Sequence, residues 1–357
     1  MNIYIVSGEE SGDLHGANLA KELYQINNSI NIRAIGGDKL EKEGVEIFKN
    51  ISDLSIMGFS SVIKNIFQLY KDINSCRDDI LRFNTKILIL IDFPGFNLKI
   101  ARFAKQKGIK VIYYISPKIW AWNSRRIHQI KKYVDEMIVI FPFEVEFYKK
   151  YKIDAHYFGN PVYDLLKNNF KERKRKSNII SILPGSRSQE VKRNLNKMLE
   201  IVSYYPDYQF IIASTKNMYN LCKKIVGENK NIDIVVNQTY SVLKKSKVSL
   251  ITSGTATLEA ALLKTPQIVC YKTDFLTFFL AKIFIKIKWI SLVNILMNKN
   301  LVKELIQDDM NLINLKKELD ILLLNNNDKL ISEYYRLDEL LESKDVSRKI
   351  AMFITSN

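Results

Sequence analysis

The chain has 357 residues, 47% of them apolar, enough for two domains of ordinary size with a core each. Its net charge of +16 points to an anionic partner (nucleic acid, an acidic membrane surface or phosphorylated substrates) or reflects only a lysine-rich composition. Dispersed basic residues without zinc-finger or RNP-like spacing argue against nucleic acid, and three scattered cysteines, Cys76, Cys222 and Cys270, argue for a reducing compartment without disulfides or zinc.

Met1–Gly8 enters a strand directly, without the regions of a signal peptide, and no uncharged apolar run reaches the roughly 18 residues of a membrane span. Ile3–Ser7 is a predicted strand, followed by the loop Gly8–Gly16 and a helix to about Gln25. The glycines do not make a dinucleotide fingerprint. Glu9, Glu10 and Asp13, with Ser11, suit polyol hydroxyls or acid–base chemistry better than a pyrophosphate; the alternative is a solvated acidic loop with Ser11 or Asp13 as N-cap. Asn31–Ile35 is a second strand. A long helix follows at about Ser61–Arg82, preceded and begun by apolar residues (Ile56, Met57, Phe59, Val62, Ile63, Ile66, Phe67) that can touch lipid or pack on the sheet.

Thr85–Asp92 reads as a buried strand ending in an acid, then Phe93–Asn97 turns into a helix closed by Gly108. An acid at the carboxyl end of a buried parallel strand stands at the ligand edge of the sheet. Apolar neighbours would raise its pKa, as a general base for a sugar hydroxyl requires; the alternative is a helix cap. Strands follow at Lys110–Ser116, Glu136–Phe141 and Ala155–Phe158, with a short helix at Phe143–Lys150. The loop carrying Trp120, Trp122, Arg125 and Arg126 suits sugar or acyl contact, or core packing. Strands alternating with helices give a parallel sheet.

Lys171–Lys176 is a charged linker, after which the alternation restarts. The expected domains are 1–170, 171–330 and a closing helical segment 331–357 that packs back on the first domain. Strands are predicted at Asn178–Leu183, Gln209–Ala213, Asp233–Val236, Val248–Thr252 and Gln267–Tyr271. Pro184–Glu190 is an anion-type turn opening a helix, with Gly185 for close backbone approach, Ser186, and Arg187 for a phosphate. Ser253-Gly254-Thr255 is a second such turn, capped by Ser253 or Thr255. Glu259, one helical turn on, is placed for a pair of sugar hydroxyls or for solvent. Phe275–Leu296 is apolar and aromatic but broken by lysines; it lies on an anionic membrane, holds acyl chains, or packs between domains or in a homodimer. Leu301–Ile306 and Asn314–Leu324 have helical patterns, Asn325–Asn327 is a loop, and Ile331–Phe353 is helical.

Several stretches together resemble the lipid-A-disaccharide synthase family, inverting glycosyltransferases. They are Ser7–Asp13, Asp53-Leu54 with Met57-Gly58, Ile91–Asn97, Ser116–Trp122, Gly159–Pro161, Leu183–Arg187 with Glu190-Val191, Ser253–Glu259, and Ser291–Leu296 with Leu301–Leu305. The resemblance implies an α/β GT-B fold, two Rossmann-like domains with parallel sheets facing across a cleft. It implies an acceptor-binding first domain and a UDP-sugar donor domain, acting without cofactor or metal. UDP-2,3-diacylglucosamine and 2,3-diacylglucosamine 1-phosphate (lipid X) would give the lipid A disaccharide 1-phosphate and UDP.

By the same resemblance Asp92 matches the catalytic base. Gly185, Ser186 and Arg187 match the phosphate region, and Ser253, Gly254, Thr255 and Glu259 the nucleotide site. Asn294 matches a position implicated in activity. Glu9, Ser11, Asp13 and Asn97 are further acceptor or active-site candidates. Gly95 stands where some members carry a second Asp, and His15 also departs from some relatives, so neither is given a proton-transfer role. The expected location is cytoplasmic, peripheral on the cytoplasmic face of the inner membrane. Two rivals are another UDP-sugar enzyme, such as an epimerase or a transferase to a different lipid, and a non-catalytic nucleic-acid- or membrane-binding protein.

Overall fold

The apolar runs form two parallel sheets in the computed structural model, which describes residues 1–54, 62–121, 124–169, 178–274, 278 and 288–356. The first sheet holds β1 (Asn2–Ser7), β2 (Asn31–Gly36), β3 (Glu46–Asn50), β4 (Ile87–Ile91), β5 (Lys110–Tyr114), β6 (Glu136–Val139) and β7 (Ala155–Tyr157). Their order is β3-β2-β1-β4-β5-β6-β7. The second holds β8 (Ile179–Leu183), β9 (Gln209–Ser214), β10 (Ile232–Val236), β11 (Val248–Ile251), β12 (Gln267–Tyr271) and β13 (Lys303–Ile306), in the order β10-β9-β8-β11-β12-β13. Strands such as Ile-Leu-Ile-Leu-Ile at β4 are buried throughout because helices cover both faces of a parallel sheet. Each order reverses once, between β1 and β4 and between β8 and β11. In open α/β sheets ligands bind outside the carboxyl ends of the strands at that reversal.

The chain divides into two compact units, 1–164 with 341–357, and 165–340. In the first, apolar residues from both sheet faces make two clusters, one around Tyr4, Leu88, Phe96 and Tyr113, the other around Ile5, Leu19, Ile89 and Ile350. Helix α1 (Glu10–Ile26) lies on the second face. The last helix, α15 (Val346–Ser356), packs against it through Val346, Ile350 and Ile354, spaced four apart on one helical face.

The motif Gly159-Asn160-Pro161 belongs to this docking. Gly159 has φ +123°, and a Cβ there would fall 2.2 Å from Ser343 Cβ. The Asn160 N–H donates to Ser343 Oγ at 3.2 Å, and its side-chain carbonyl accepts from the Val162 and Tyr163 N–H groups. The Asp164 carboxylate accepts from the N–H groups of Asp345 (3.2 Å) and Val346 (2.9 Å), capping α15.

Most predicted elements appear within a residue or two. Leu301–Ile306 is the exception: it is not helical but contains β13, parallel to β12, with Leu305 buried. Lys, Glu and Leu are helix formers, and pairing with β12 overrides that preference. Strand β3 and the short helix α2 (Asp38–Lys42) were not predicted. The Ile331–Phe353 region is two helices, α14 (Asp328–Leu341) and α15, separated by a turn in which Asp345 has φ +54°. Residues Ile56, Met57, Phe59, Trp122, the linker 171–176 and most of 275–287 lie outside the described residues, as do the side chains of Val62, Ile63 and Ile66. Among the described residues no helix is long and apolar enough to cross a membrane.

Removing the α15 cap with Asp164→Ala should cost about 1–2 kcal/mol, read as a lower urea midpoint with faster proteolysis near residues 342–345.

Candidate active site

In the first unit the reversal brings together the turn after β1 and the turn after β4. Ser7 pairs with Ile91, so Gly8 and Asp92 leave the sheet side by side. A Cβ on Gly8 would stand 2.3 Å from the Phe93 ring, so only glycine allows this approach. Asp92 (φ +45°) and Phe93 (φ +49°) are consecutive left-handed residues, a conformation that Asp tolerates but that costs an aromatic residue roughly 1–2 kcal/mol.

Buried hydrogen bonds hold this turn. The Asp92 carbonyl accepts from the Tyr113 hydroxyl (2.5 Å) and from Asn97 Nδ2 (2.8 Å), and the Asp92 N–H donates to the Tyr114 carbonyl (3.2 Å). Asn97 Nδ2 also reaches the carbonyls of Ile91 and Val6, tying the helix α4 (Pro94–Gln106) to both strands. Burial, and next the charge of Asp92, hold the Tyr113 hydroxyl well above the usual phenol range, so it remains a donor. Asp92, half-buried at the sheet edge, is thus set by its carbonyl. Gly95 is exposed, with nothing within 4 Å of a Cβ placed there.

Other predicted residues near this edge divide by environment. Glu9 and Glu10 are half-buried and Ser11 is exposed. Asp13 is buried, and its carboxylate accepts from the N–H groups of Gly37 (2.7 Å), Lys39 (3.0 Å) and Leu40 (3.3 Å). It caps α2 rather than its own helix, whose N-cap is Glu9. His15 is buried, which pushes its pKa down to about 4 and leaves it neutral.

The next strand ends equally strained. Ile115 has φ +63°, exceptional for a β-branched residue, and leads into the Ser116–Trp120 loop. That loop hangs on Glu144, which the sequence did not single out. One Glu144 oxygen accepts from Ser116 Oγ (2.6 Å) and the Trp120 indole (3.0 Å), the other from the Ile140 and Phe141 N–H groups. Trp120 also meets Phe143 edge-on at 5.1 Å, so this tryptophan is packed into the loop.

In the second unit the reversal pairs the turns after β8 and β11. The Thr252 N–H donates to the Leu183 carbonyl at 2.9 Å, joining them. Gly185 has φ +104°, and a Cβ there would approach Glu190 Oε2 to 3.1 Å. Ser186 and Arg187 are exposed before α8 (Ser188–Leu199), and Arg187 lies 3.5 Å from Glu190. Gly254, not Ser253 or Thr255, is the N-cap of α11 (Thr255–Leu262), with φ +85° and ψ −149°, a conformation essentially confined to glycine. Both turns offer backbone N–H groups and a helix N-terminus to an anion.

Glu259 is half-buried one turn into α11 and accepts from the Tyr240 hydroxyl at 3.3 Å. Burial, partly offset by that hydroxyl, pushes its carboxyl up to about 7. Asn294 is fully buried: its amide donates to Val302 and Glu304 and accepts from the N–H groups of Leu301 and Val302. Among the described residues no group of three or more His, Cys, Asp or Glu is placed to hold a metal ion.

A family model described as lipid-A-disaccharide synthetase matches residues 3–353. The chain is similar to lipid-A-disaccharide synthase 1 of Legionella pneumophila (strain Lens), 35% identical over 360 residues that cover 96% of this chain and 93% of that one. Among solved structures it resembles UDP-GlcNAc 2-epimerase from Neisseria meningitidis bound to UDP-GlcNAc, with a TM-score of 0.71 at 16% identity and full coverage of both chains. It also resembles Acinetobacter baumannii MurG, with a TM-score of 0.59 at 12% identity over 100% of this chain and 99% of that one. At such identities the structural likeness speaks for the two-sheet GT-B scaffold alone.

Asn97→Ala should destabilise the first unit by about 2 kcal/mol in urea unfolding, because it unties three buried carbonyls. Asp92→Asn should stay within about 0.5 kcal/mol of wild type, since the carbonyl holds the turn and Asn tolerates the left-handed region.

Proposed function

The chain belongs to the lipid-A-disaccharide synthetase family, and from that premise we propose that Asp92 is the general base of its glycosyl transfer and that the paired turns of the second unit hold the nucleotide. The chain is a glycosyltransferase of lipid A biosynthesis, with nucleotide-sugar and lipid substrates. The donor is UDP-2,3-diacylglucosamine and the acceptor 2,3-diacylglucosamine 1-phosphate. The observation that carries this reading is Asp92 itself, a carboxylate at the strand reversal on a backbone whose strain the surrounding hydrogen bonds maintain.

The chemistry follows. Asp92 takes the proton of the acceptor 6-hydroxyl as that oxygen attacks the anomeric carbon, and the bond from that carbon to the diphosphate breaks. Attack from the face opposite the leaving group inverts the centre. UDP departs with its charge met by Arg187 and the N–H groups of the Gly185-Ser186 and Ser253–Thr255 turns. Glu259 accepts from the ribose hydroxyls. Glu9, Glu10 and Ser11, beside Asp92 at the same reversal, orient the acceptor hydroxyls. Asp13 and Asn97 support this edge from inside, through the α2 cap and the Asp92 carbonyl.

A charge of +16 and the exposed Phe67 and Tyr70 of α3 (Val62–Arg82) suit a peripheral protein on an anionic membrane surface, on the cytoplasmic side where its substrates would be met.

The decisive test incubates the chain with both lipids and weighs the product. A disaccharide 1-phosphate with acceptor-dependent UDP release is expected. UDP release without acceptor, or a changed hexose configuration, would instead make the chain an epimerase-like UDP-sugar enzyme. Asp92→Asn should lose at least about 100-fold in turnover with UDP binding retained; near wild-type turnover would remove Asp92 as the base. The Glu259 carboxyl, at about 7 without ligand, must ionise to accept two hydroxyls. UDP affinity measured by calorimetry should therefore rise between about pH 6 and pH 8, and Glu259→Gln should flatten that step.

A further inference from the structure

Glu304, on the edge strand β13, has no part in the chemistry above, yet its carboxylate is fully engaged. One oxygen accepts from the Ser291 N–H (2.9 Å) and the Asn294 amide (2.9 Å), the other from the Ile290 N–H (3.0 Å). Asn294 closes the connection back to β13, accepting from the Leu301 and Val302 N–H groups at 2.8 and 2.9 Å. Residues 290–294 are thereby hung from the edge strand by a charge-assisted cluster, stronger than neutral hydrogen bonds would make it.

The same residues meet the turn between β11 and α11, and the first turn of α11, at three points. Gly254 and Ser291 form a parallel bridge, Ser253 Oγ donates to the Ile290 carbonyl at 3.5 Å, and the Leu292 N–H donates to Thr257 Oγ1 at 3.2 Å. Thr257, fully buried, donates its own hydroxyl hydrogen bond to the Gly254 carbonyl at 2.9 Å. Gly254 is the N-cap of α11, held in a conformation essentially confined to glycine, so its backbone sets the geometry of the turn. Both routes to its backbone, the Ser291 bridge and the Thr257 hydroxyl, lead through residues 290–294 to one carboxylate.

We infer that Glu304 is a positioning residue for the nucleotide: through Ile290, Ser291 and Asn294 it fixes the Gly254 backbone and hence the N–H groups offered to the donor diphosphate. The inference rests on the proposed nucleotide role of that turn. It also gives Asn294 a task, which is to orient Glu304 from inside the wall. A glutamine at 304 would keep the shape but turn an NH2 group toward a backbone N–H, breaking the cluster at one point.

The test uses the full chain with UDP as probe, in calorimetry and in steady-state kinetics with both substrates. Glu304→Gln should weaken UDP about tenfold or more and raise the donor KM, with the acceptor KM within about twofold of wild type. Thr257→Val should weaken UDP by a similar factor, and Thr257→Ser, which restores the hydroxyl, should recover most of it. UDP affinity within about twofold of wild type in Glu304→Gln, or a matching loss in acceptor KM, would overturn the inference. Should Glu304→Gln fail to fold, the Thr257 pair decides: UDP binding by Thr257→Val like that of wild type would overturn it. A wild-type chain that does not bind UDP would overturn the nucleotide reading and this inference together, whereas UDP binding insensitive to Glu304 removes only the inference.

Discussion

Each sheet reverses its strand order once, at β1/β4 and at β8/β11, and the rest of each unit is arranged around that reversal. Successive helices leave toward opposite faces there, so two neighbouring turns diverge and the carboxyl ends of two strands stay uncovered. Whatever occupies those turns stands where open α/β sheets bind ligands. The two units use this one constraint for opposite chemistry. The first unit places carboxylates at the reversal, Glu9, Glu10 and Asp92. The second places backbone N–H groups, at Gly185 and Gly254, with Arg187 beside them. The same topology therefore yields one edge suited to taking protons from hydroxyls and one suited to anions.

The strain at these edges shows how much the fold spends to keep them. Several left-handed residues elsewhere, such as Asn84, Asn298 and Asn327, are asparagines in turns, where that conformation costs little. Phe93 and Ile115 are different: an aromatic and a β-branched residue have no intrinsic reason to be there. They cluster at the ends of adjacent strands β4 and β5, and strain of this kind persists only where the surroundings over-determine it. Tyr113 and Asn97 supply that determination through the Asp92 carbonyl. The main chain of Asp92 is thereby fixed at the carboxyl end of β4.

The β/α alternation was legible in the sequence because buried parallel strands read as apolar runs, unbroken at β4 and interrupted only by Ser181 at β8. Both reversal turns were legible for the same reason: glycine and small polar residues interrupt those runs at the carboxyl ends. What could not be read was tertiary. β13 looks helical by composition and becomes a strand only through its neighbour. Tyr113, Glu144 and Glu304 lie on a strand, a helix and an edge strand, with nothing in local spacing to set them apart from core or surface residues. Their roles come from partners 21 residues away for Tyr113, 28 for Ser116 with Glu144, and 10 to 14 for the segment held by Glu304.

The motif residues themselves fall into two physical classes, which the sequence presents as one. Asp13, Asn97, Asn160 and Asn294 are buried, and each makes hydrogen bonds to the protein's own backbone. Glu9, Glu10, Asp92, Arg187 and Glu259 are exposed or half-buried at the sheet edges. A short polar side chain that must meet several backbone groups tolerates few replacements, so a building role constrains a position as tightly as ligand contact does. This matters for a scaffold whose likeness to a UDP-GlcNAc 2-epimerase reaches a TM-score of 0.71 at only 16% identity. The likeness lies in the sheets and their reversals; what is particular to this chain lies in the few side chains at the edges and in the buried ones that hold those edges in place.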